Sequence, residues 1–183
     1  IAVSHCYCRH KAEHVGKACD VPQEICLSIN GGANFVIGRG FGRPIDKQEA
    51  LSIVKKARKL GLVQIADNVK NEPAYVCNCC ACCCGQLSSI NDFGLKAVNP
   101  SGFEPAHHPD DCKGCSRCSR ACPVAAITMT PARAGGQRKN ALHPAFDSEL
   151  CIGCGVCATT CKQDAISMER RENPSHVPEN TIE

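Results

Sequence analysis

The sequence of 183 residues has no Trp, two Met, two Tyr and five Phe. A chain so poor in large apolar side chains cannot close a core of ordinary size by hydrophobic burial alone. Long apolar runs are also missing. No stretch of 18 apolar residues occurs and no leader opens the chain, so neither a membrane-spanning helix nor a secretory signal is expected. Charge of one sign is lacking as well: 21 Lys and Arg against 18 Asp and Glu leave a formal charge of +3. That balance supports no argument for nucleic-acid binding, and none is expected of this stretch.

Cysteine, in contrast, is abundant, at 18 of the 183 residues. Such a level signals a disulfide scaffold or a chain organised around metal. The cysteines fall into four tight groups, separated by Cys-free stretches such as 27–76 and 123–150. Secreted scaffolds spread their cysteines evenly, so clustering favours metal and a reducing compartment, and a cytoplasmic location is expected. The hydrophobic content of 43% counts these cysteines, which leaves about a third of the chain for a conventional core. Cofactors are therefore expected to supply part of the core, and the metal-free chain is expected to be largely disordered. Ile1 stands where a Met would begin a full chain, with the first ligand candidate five residues later, so the sequence is expected to be the tail of a longer protein.

The strongest motif is "CKGCSRCSRACP", which places Cys112, Cys115, Cys118 and Cys122 in C-x2-C-x2-C-x3-C-P. "CIGCGVCATTCK" repeats the spacing with Cys151, Cys154, Cys157 and Cys161, and carries Lys162 where the first copy has Pro123. Over residues 104–170 the chain resembles the bacterial-type ferredoxins with two [4Fe-4S] clusters. In that family the fourth Cys of each run crosses to the other cluster. The resemblance thus implies that Cys112, Cys115, Cys118 and Cys161 hold one cluster, and that Cys151, Cys154, Cys157 and Cys122 hold the other. Three cysteines two residues apart let a short loop wrap a cluster face, with backbone N–H groups turned inward; Gly114, Gly153 and Gly155 ease that wrapping. Zinc sites use paired Cys-x2-4-Cys units and fit a doubled four-cysteine run poorly. "AAITM" and "DAISM" after each run read as a helix end and a strand, and 131–141 reads as an exposed loop. Lys162 is expected to tune a cluster potential through its charge.

The third group, Cys6, Cys8, Cys19 and Cys26 in C-x-C-x10-C-x6-C, is by number a full ligand set, for an iron–sulfur cluster or a structural zinc. Arg9, Lys11 and Lys17 lie between its members and can offset cluster charge; His5, His10 and His14 receive no role. The fourth group packs six cysteines into positions 77–84. Cys77, Cys80 and Cys83 repeat C-x2-C-x2-C, with Cys84 as a fourth ligand, while Cys79 and Cys82 offer an alternative register or a redox use. A third and a fourth [4Fe-4S] cluster are therefore candidates, with zinc as the alternative across residues 6–84. "CCG" at 83–85 is similar to the paired-cysteine motif of heterodisulfide reductase subunits, whose remaining ligands do not match here. With about −2 per oxidised cluster and its thiolates, three loaded sites would bring the chain to about −3.

Between the groups, 46–60 reads as an amphipathic helix capped by Asp46 and Glu49 and stopped by Gly61, with Ala50, Leu51, Val54, Ala57 and Leu60 as its apolar face. "LVQIADNV" and "PAYVCNC" suggest a hairpin that returns the fourth group toward the N-terminal segment, and Gly-rich 30–44 reads as a loop over a cluster. The expected fold class is α+β: an irregular cysteine-rich α+β region at 1–98, a linker at 99–111, a ferredoxin-like dicluster domain at 112–170 and a tail at 171–183. Taken whole, the sequence resembles a group of large ferredoxin-type proteins of anaerobes, in which a winged-helix-like region precedes this part. That resemblance implies electron transfer as a subunit of a larger oxidoreductase, partnered by other redox subunits. No acid, base and nucleophile set argues for catalysis by the chain itself. The alternatives are an enzyme subunit whose substrate- or disulfide-active cluster lies at 77–84, and an iron–sulfur or zinc redox regulator.

Overall fold

The structure, a computed structural model, describes residues 1–131 and 142–180. It is α+β and divides into two compact units, one formed by Ile1–Val98 with the chain from His176 onward, the other by Asn99–Ser175. Among the described residues no helix is long and apolar enough to cross a membrane.

The first unit is a five-stranded sheet in the order β3-β1-β2-β5-β4, with every neighbouring pair antiparallel. Its strands are β1 (Ala2–His5), β2 (Glu24–Ser28), β3 (Gly42–Pro44), β4 (Val63–Ala66) and β5 (Tyr75–Cys79). Helices α1 (Tyr7–His14), α2 (Asn30–Gly38) and α3 (Lys47–Lys59) lie between the strands, and α4 (Gly85–Phe93) follows them. Alternation along the strands sorts the side chains by face. Val3, Leu27 and Val76 pack with Ala50, Ile53 and Val54 of α3, while Cys26, Cys77 and Cys79 alternate to the opposite face. Asn78 is fully buried on the α3 side, where its amide donates to the Ile25 carbonyl at 2.7 Å and its oxygen accepts from Gln64 at 3.1 Å. Both ends of this polar group are thereby satisfied.

The expected hairpin is β4 and β5, with Val63 opposite Cys79 and Ala66 opposite Val76. Asp67 closes its loop by accepting from the Ala74 and Tyr75 N–H groups at 2.9 and 3.2 Å. The amphipathic helix is α3, whose Asp46 cap accepts from the Glu49 N–H at 2.8 Å and whose stop, Gly61, has φ +72°. Its buried face differs from the expected one. Ile53 joins Ala50, Val54 and Ala57, whereas Leu51 and Leu60 are 48% and 46% exposed, because the sheet meets the helix along a narrower stripe. Gly-rich 30–44 is not a loop: it forms α2 and β3. Glycine weakens a helix locally, yet here it permits close approach. A Cβ on Gly32 would stand 2.4 Å from the Ala74 carbonyl oxygen, and one on Gly42 2.5 Å from that of Val3.

The second unit is built twice over an offset of 39 residues. Strand β6 (Phe103–His107) corresponds to β8 (Leu142–Phe146), α5 (Arg117–Ala121) to α6 (Val156–Thr160), and β7 (Ile127–Pro131) to β9 (Ile166–Arg170). Pairing exchanges the copies: β6 pairs with β9 and β7 with β8, both antiparallel. Pro105 faces Met168 in one ladder and Pro144 faces Met129 in the other, tolerable because each ladder has only two strands and a free edge. The segment expected as a linker, 99–111, therefore contains β6, which its proline and histidines concealed. The expected loop at 131–141 lies, from residue 132, outside the described residues. Of the expected tail, Arg171 belongs to the second unit and the chain at 176–180 to the first, where the N–H groups of Lys70 and Asn71 donate to the Pro178 and Glu179 carbonyls at 2.9 and 3.0 Å.

Replacing the α3 cap, Asp46→Ala, is expected to lower the stability of the metal-loaded chain by about 1 kcal/mol, with Asp46→Asn close to the original. Denaturant midpoints measure this, and an unchanged midpoint for Asp46→Ala would show that the cap does not hold the helix.

Candidate metal–thiolate centres

None of the eighteen cysteines forms a disulfide. In the second unit they converge on two cavities. The first is lined by Cys112, Cys115, Cys118 and Cys161, closed by Met129, Pro144 and Ile166. Cys122, Cys151, Cys154 and Cys157 line the second, closed by Phe146, Ile152 and Met168. Each cavity thus takes three cysteines from one run and one from the other, and the exchanged strand pairing is what carries the fourth across.

The backbone that shapes these cavities repeats with the sequence. Gly114 and Gly153 have φ +66° and +68°, Ser116 and Gly155 +59° and +73°, Ala125 and Asp164 +54° and +49°. At Gly114 a Cβ would meet the Leu142 carbonyl oxygen at 2.7 Å, and at Gly153 that of Phe103 at 2.2 Å, so both positions need glycine for space as well as for angle. The turned backbone directs N–H groups at sulfur: Gly114 donates to Cys112 Sγ at 3.5 Å and Ala126 to Cys122 Sγ at 3.2 Å. Burial pushes the Cys118 and Cys154 thiols up and that of Cys157 up to about 12, so a metal entering these cavities must displace protons. Lys162 is exposed, where solvent screens its charge, while Pro123 in the equivalent position is buried.

Two features of this unit escaped the sequence reading. Arg171, just beyond β9, donates to the Cys151 carbonyl at 2.8 Å and the Phe103 carbonyl at 3.1 Å, with its side chain 13% exposed. Its only signal was position, since the first copy has Ala132 there. His107 and His143 stand beside Cys112 with their rings 5.2 Å apart, and burial, ahead of the neighbouring histidine charges, holds His107 below its ordinary value. Their proximity comes from strands whose histidines are 36 residues apart in the chain.

In the first unit the structure regroups the third and fourth cysteine sets. Cys6, Cys8, Cys26, Cys77, Cys79 and Cys84 line one cavity, which Cys80 and Cys83 also border. Within it Cys26 neighbours Cys6 and Cys77, and Cys79 neighbours Cys77 and Cys84. Hydrogen bonding among these neighbours holds Cys77 down to about 4, and Cys6 and Cys84 down to about 6, while it and burial push Cys26 and Cys79 up. Six sulfurs gathered in one apolar cavity form a donor set suited to a thiophilic metal. Cys19, expected with Cys6, Cys8 and Cys26, stands instead with Cys80, Cys82 and Cys83. The sequence could not separate these sets, because β5 sends alternate residues to opposite faces and the turn after it redirects Cys80 to Cys83.

Arg9 is the buried cation of this unit, 1% exposed. It donates to the Pro22 carbonyl at 3.0 Å, the Asn78 carbonyl at 3.5 Å and Cys80 Sγ at 3.3 Å. Against the burial that opposes it, the Val21 N–H and Arg9 together hold Cys19 down to about 7.

Residues 111–165 match the family model of the 4Fe-4S dicluster domain. No curated protein matches the chain. The domain match and the converging cysteines support an iron–sulfur electron-transfer protein.

Arg9→Met is expected to destabilise the metal-loaded chain by about 3 kcal/mol, because it leaves buried thiolate charge uncompensated. Arg9→Lys should recover only part, since an ammonium cannot span three separate acceptors as the planar guanidinium does. Denaturant unfolding under reducing, anaerobic conditions checks both; equal midpoints for Arg9→Met and the parent would overturn the assignment.

Proposed function

We propose that the chain is a multi-cluster electron carrier, a subunit that passes single electrons between redox partners within a larger oxidoreductase of anaerobic metabolism. The observation that supports this reading is the pair of four-cysteine cavities in the second unit, each completed by a cysteine from the other run. Cys112, Cys115, Cys118 and Cys161 would hold one [4Fe-4S] cluster, and Cys151, Cys154, Cys157 and Cys122 the other. When bound, such clusters each store and release one electron at a potential set by their surroundings.

The residues of the chain supply those surroundings. Met129, Ile166, Phe146, Ile152 and Met168 exclude water, which raises the cost of added negative charge. The Gly114 and Ala126 N–H groups offset part of it by donating to ligand sulfur. Arg171 fixes the loop at Cys151 and places a cation near the second cavity. In the first unit, the array of Cys6, Cys8, Cys26, Cys77, Cys79 and Cys84 extends the run of metal-binding thiols, with an iron–sulfur cluster or zinc as its occupant. Exposed Tyr7, Phe35, Phe41 and Phe93 offer apolar contact to partner subunits.

Iron and sulfide counting on anaerobically isolated protein tests the reading. About eight iron and eight sulfide are expected from residues 112–161, with reduction by dithionite producing one unpaired spin per cluster. Protein isolated without sulfide would refute it. Cys161→Ala is expected to remove the cluster of the first run, halving the dicluster iron, although the residue lies in the second run. Retention of both clusters by that variant would overturn the crossed pairing.

A further inference from the structure

Cys19, Cys80, Cys82 and Cys83 come together from two distant segments, the bend after α1 and the turn that links β5 to α4. All four Sγ atoms lie within 4.8 Å of one another. Cys19 and Cys80 are 3.6 Å apart, Cys19 and Cys83 3.9 Å, and Cys82 and Cys83 3.7 Å. These separations are far beyond the roughly 2.05 Å of a disulfide. They do match another geometry. A single ion about 2.3 Å from each of four thiolates, in a tetrahedron, spaces the sulfurs about 3.8 Å apart. A four-iron cube sets an iron between each ligand sulfur and the centre, so its sulfurs stand much farther from one another.

We propose that Cys19, Cys80, Cys82 and Cys83 bind one thiophilic divalent ion, zinc or ferrous iron, as a mononuclear tetrathiolate centre separate from the neighbouring six-cysteine cavity. The proposal rests on the reading of the first unit as a metal–thiolate unit, and it assigns a distinct ligand set and nuclearity within that unit. Arg9 complements the site: four thiolates around a divalent ion leave two negative charges, and the buried guanidinium sits against Cys80. The ion ties the segment that follows α1 to the turn after β5, a link between residues 61 positions apart that the sheet ladder itself does not make. Such a tie fixes the entrance to α4 and hence the placement of Cys84, a member of the six-cysteine array.

Cys80 and Cys83 also border the six-cysteine cavity, whereas Cys19 and Cys82 do not. Substitutions at the latter two therefore report on this centre alone. On anaerobically isolated full-length protein, Cys19→Ser and Cys82→Ser are each expected to lower bound zinc or iron by about one atom per chain, with acid-labile sulfide unchanged. X-ray absorption at the zinc edge of the parent protein should show four sulfurs at about 2.3 Å and no neighbouring metal. Absence of zinc, with one high-spin iron beyond the iron that sulfide accounts for, identifies ferrous iron instead. Loss of about four iron together with four sulfide from either variant would mean that these thiols hold a cluster, and would overturn the proposal. So would unchanged metal content with all four thiols open to alkylation. Should both variants fail to fold, the parent decides alone: no metal in excess of sulfide rejects the centre. The same samples carry the dicluster count, so a missing dicluster sinks the electron-carrier reading without touching this site.

Discussion

Thiolates brought within a few ångströms of one another repel, and in a water-poor interior that repulsion is barely screened. The structure meets the repulsion in two ways: by aiming backbone N–H groups at sulfur, as at Cys112 and Cys122, and by burying Arg9 against Cys80. Clusters held by the dicluster domain would contribute folding energy in place of the large apolar core that the composition denies.

The second unit turns a repeated sequence into a linked pair of sites. Two copies offset by 39 residues could in principle close separately, each wrapping its own four cysteines. Exchange of strands prevents this, because β6 pairs with β9 and β7 with β8. Cys161 is thereby delivered to the cavity of the first run and Cys122 to that of the second. Ile127 and Ile166, at equivalent positions in the two copies, pack together with Cys118 and Cys157, so one cysteine of each run is itself part of the core.

The first unit uses a sheet for a similar end. One face buries Val3, Leu27 and Val76 under α3, and the other displays Cys26, Cys77 and Cys79. The period of two along β2 and β5 is what lets a short strand serve both a hydrophobic core and a thiol array. Asn78 shows how tight that division is. It is fully buried between two cysteines in sequence, and its hydrogen bonds to Ile25 and Gln64 hold the register that keeps those cysteines on the other face.

Spacing alone made the dicluster runs legible, because C-x2-C-x2-C-x3-C is a local pattern whose geometry a short loop and helix dictate. The α3 helix and the β4–β5 hairpin were legible for the same reason, each carried by caps, periodicity and turn residues within a few positions. Helix α2 and strand β3 were hidden by their glycines, whose value lies in the close contacts of Gly32 with Ala74 and of Gly42 with Val3, which no local pattern records. Strand β6 was hidden by Pro105 and His107, and became a strand only because β9 lay ready to pair with it. That eight of the ten N-terminal cysteines share one cavity, with Cys80 and Cys83 also grouped with Cys19 and Cys82, was likewise outside the reach of the sequence. Cys19 is nearer in the chain to Cys26 than to Cys80, yet it meets Cys80. Local sequence determined the groups in which cysteine occurs and the doubled spacing that matches a 4Fe-4S dicluster domain. Which sulfurs share a site was decided by strand pairing and by the direction of the turn after β5, since those bring together residues that sequence distance keeps apart.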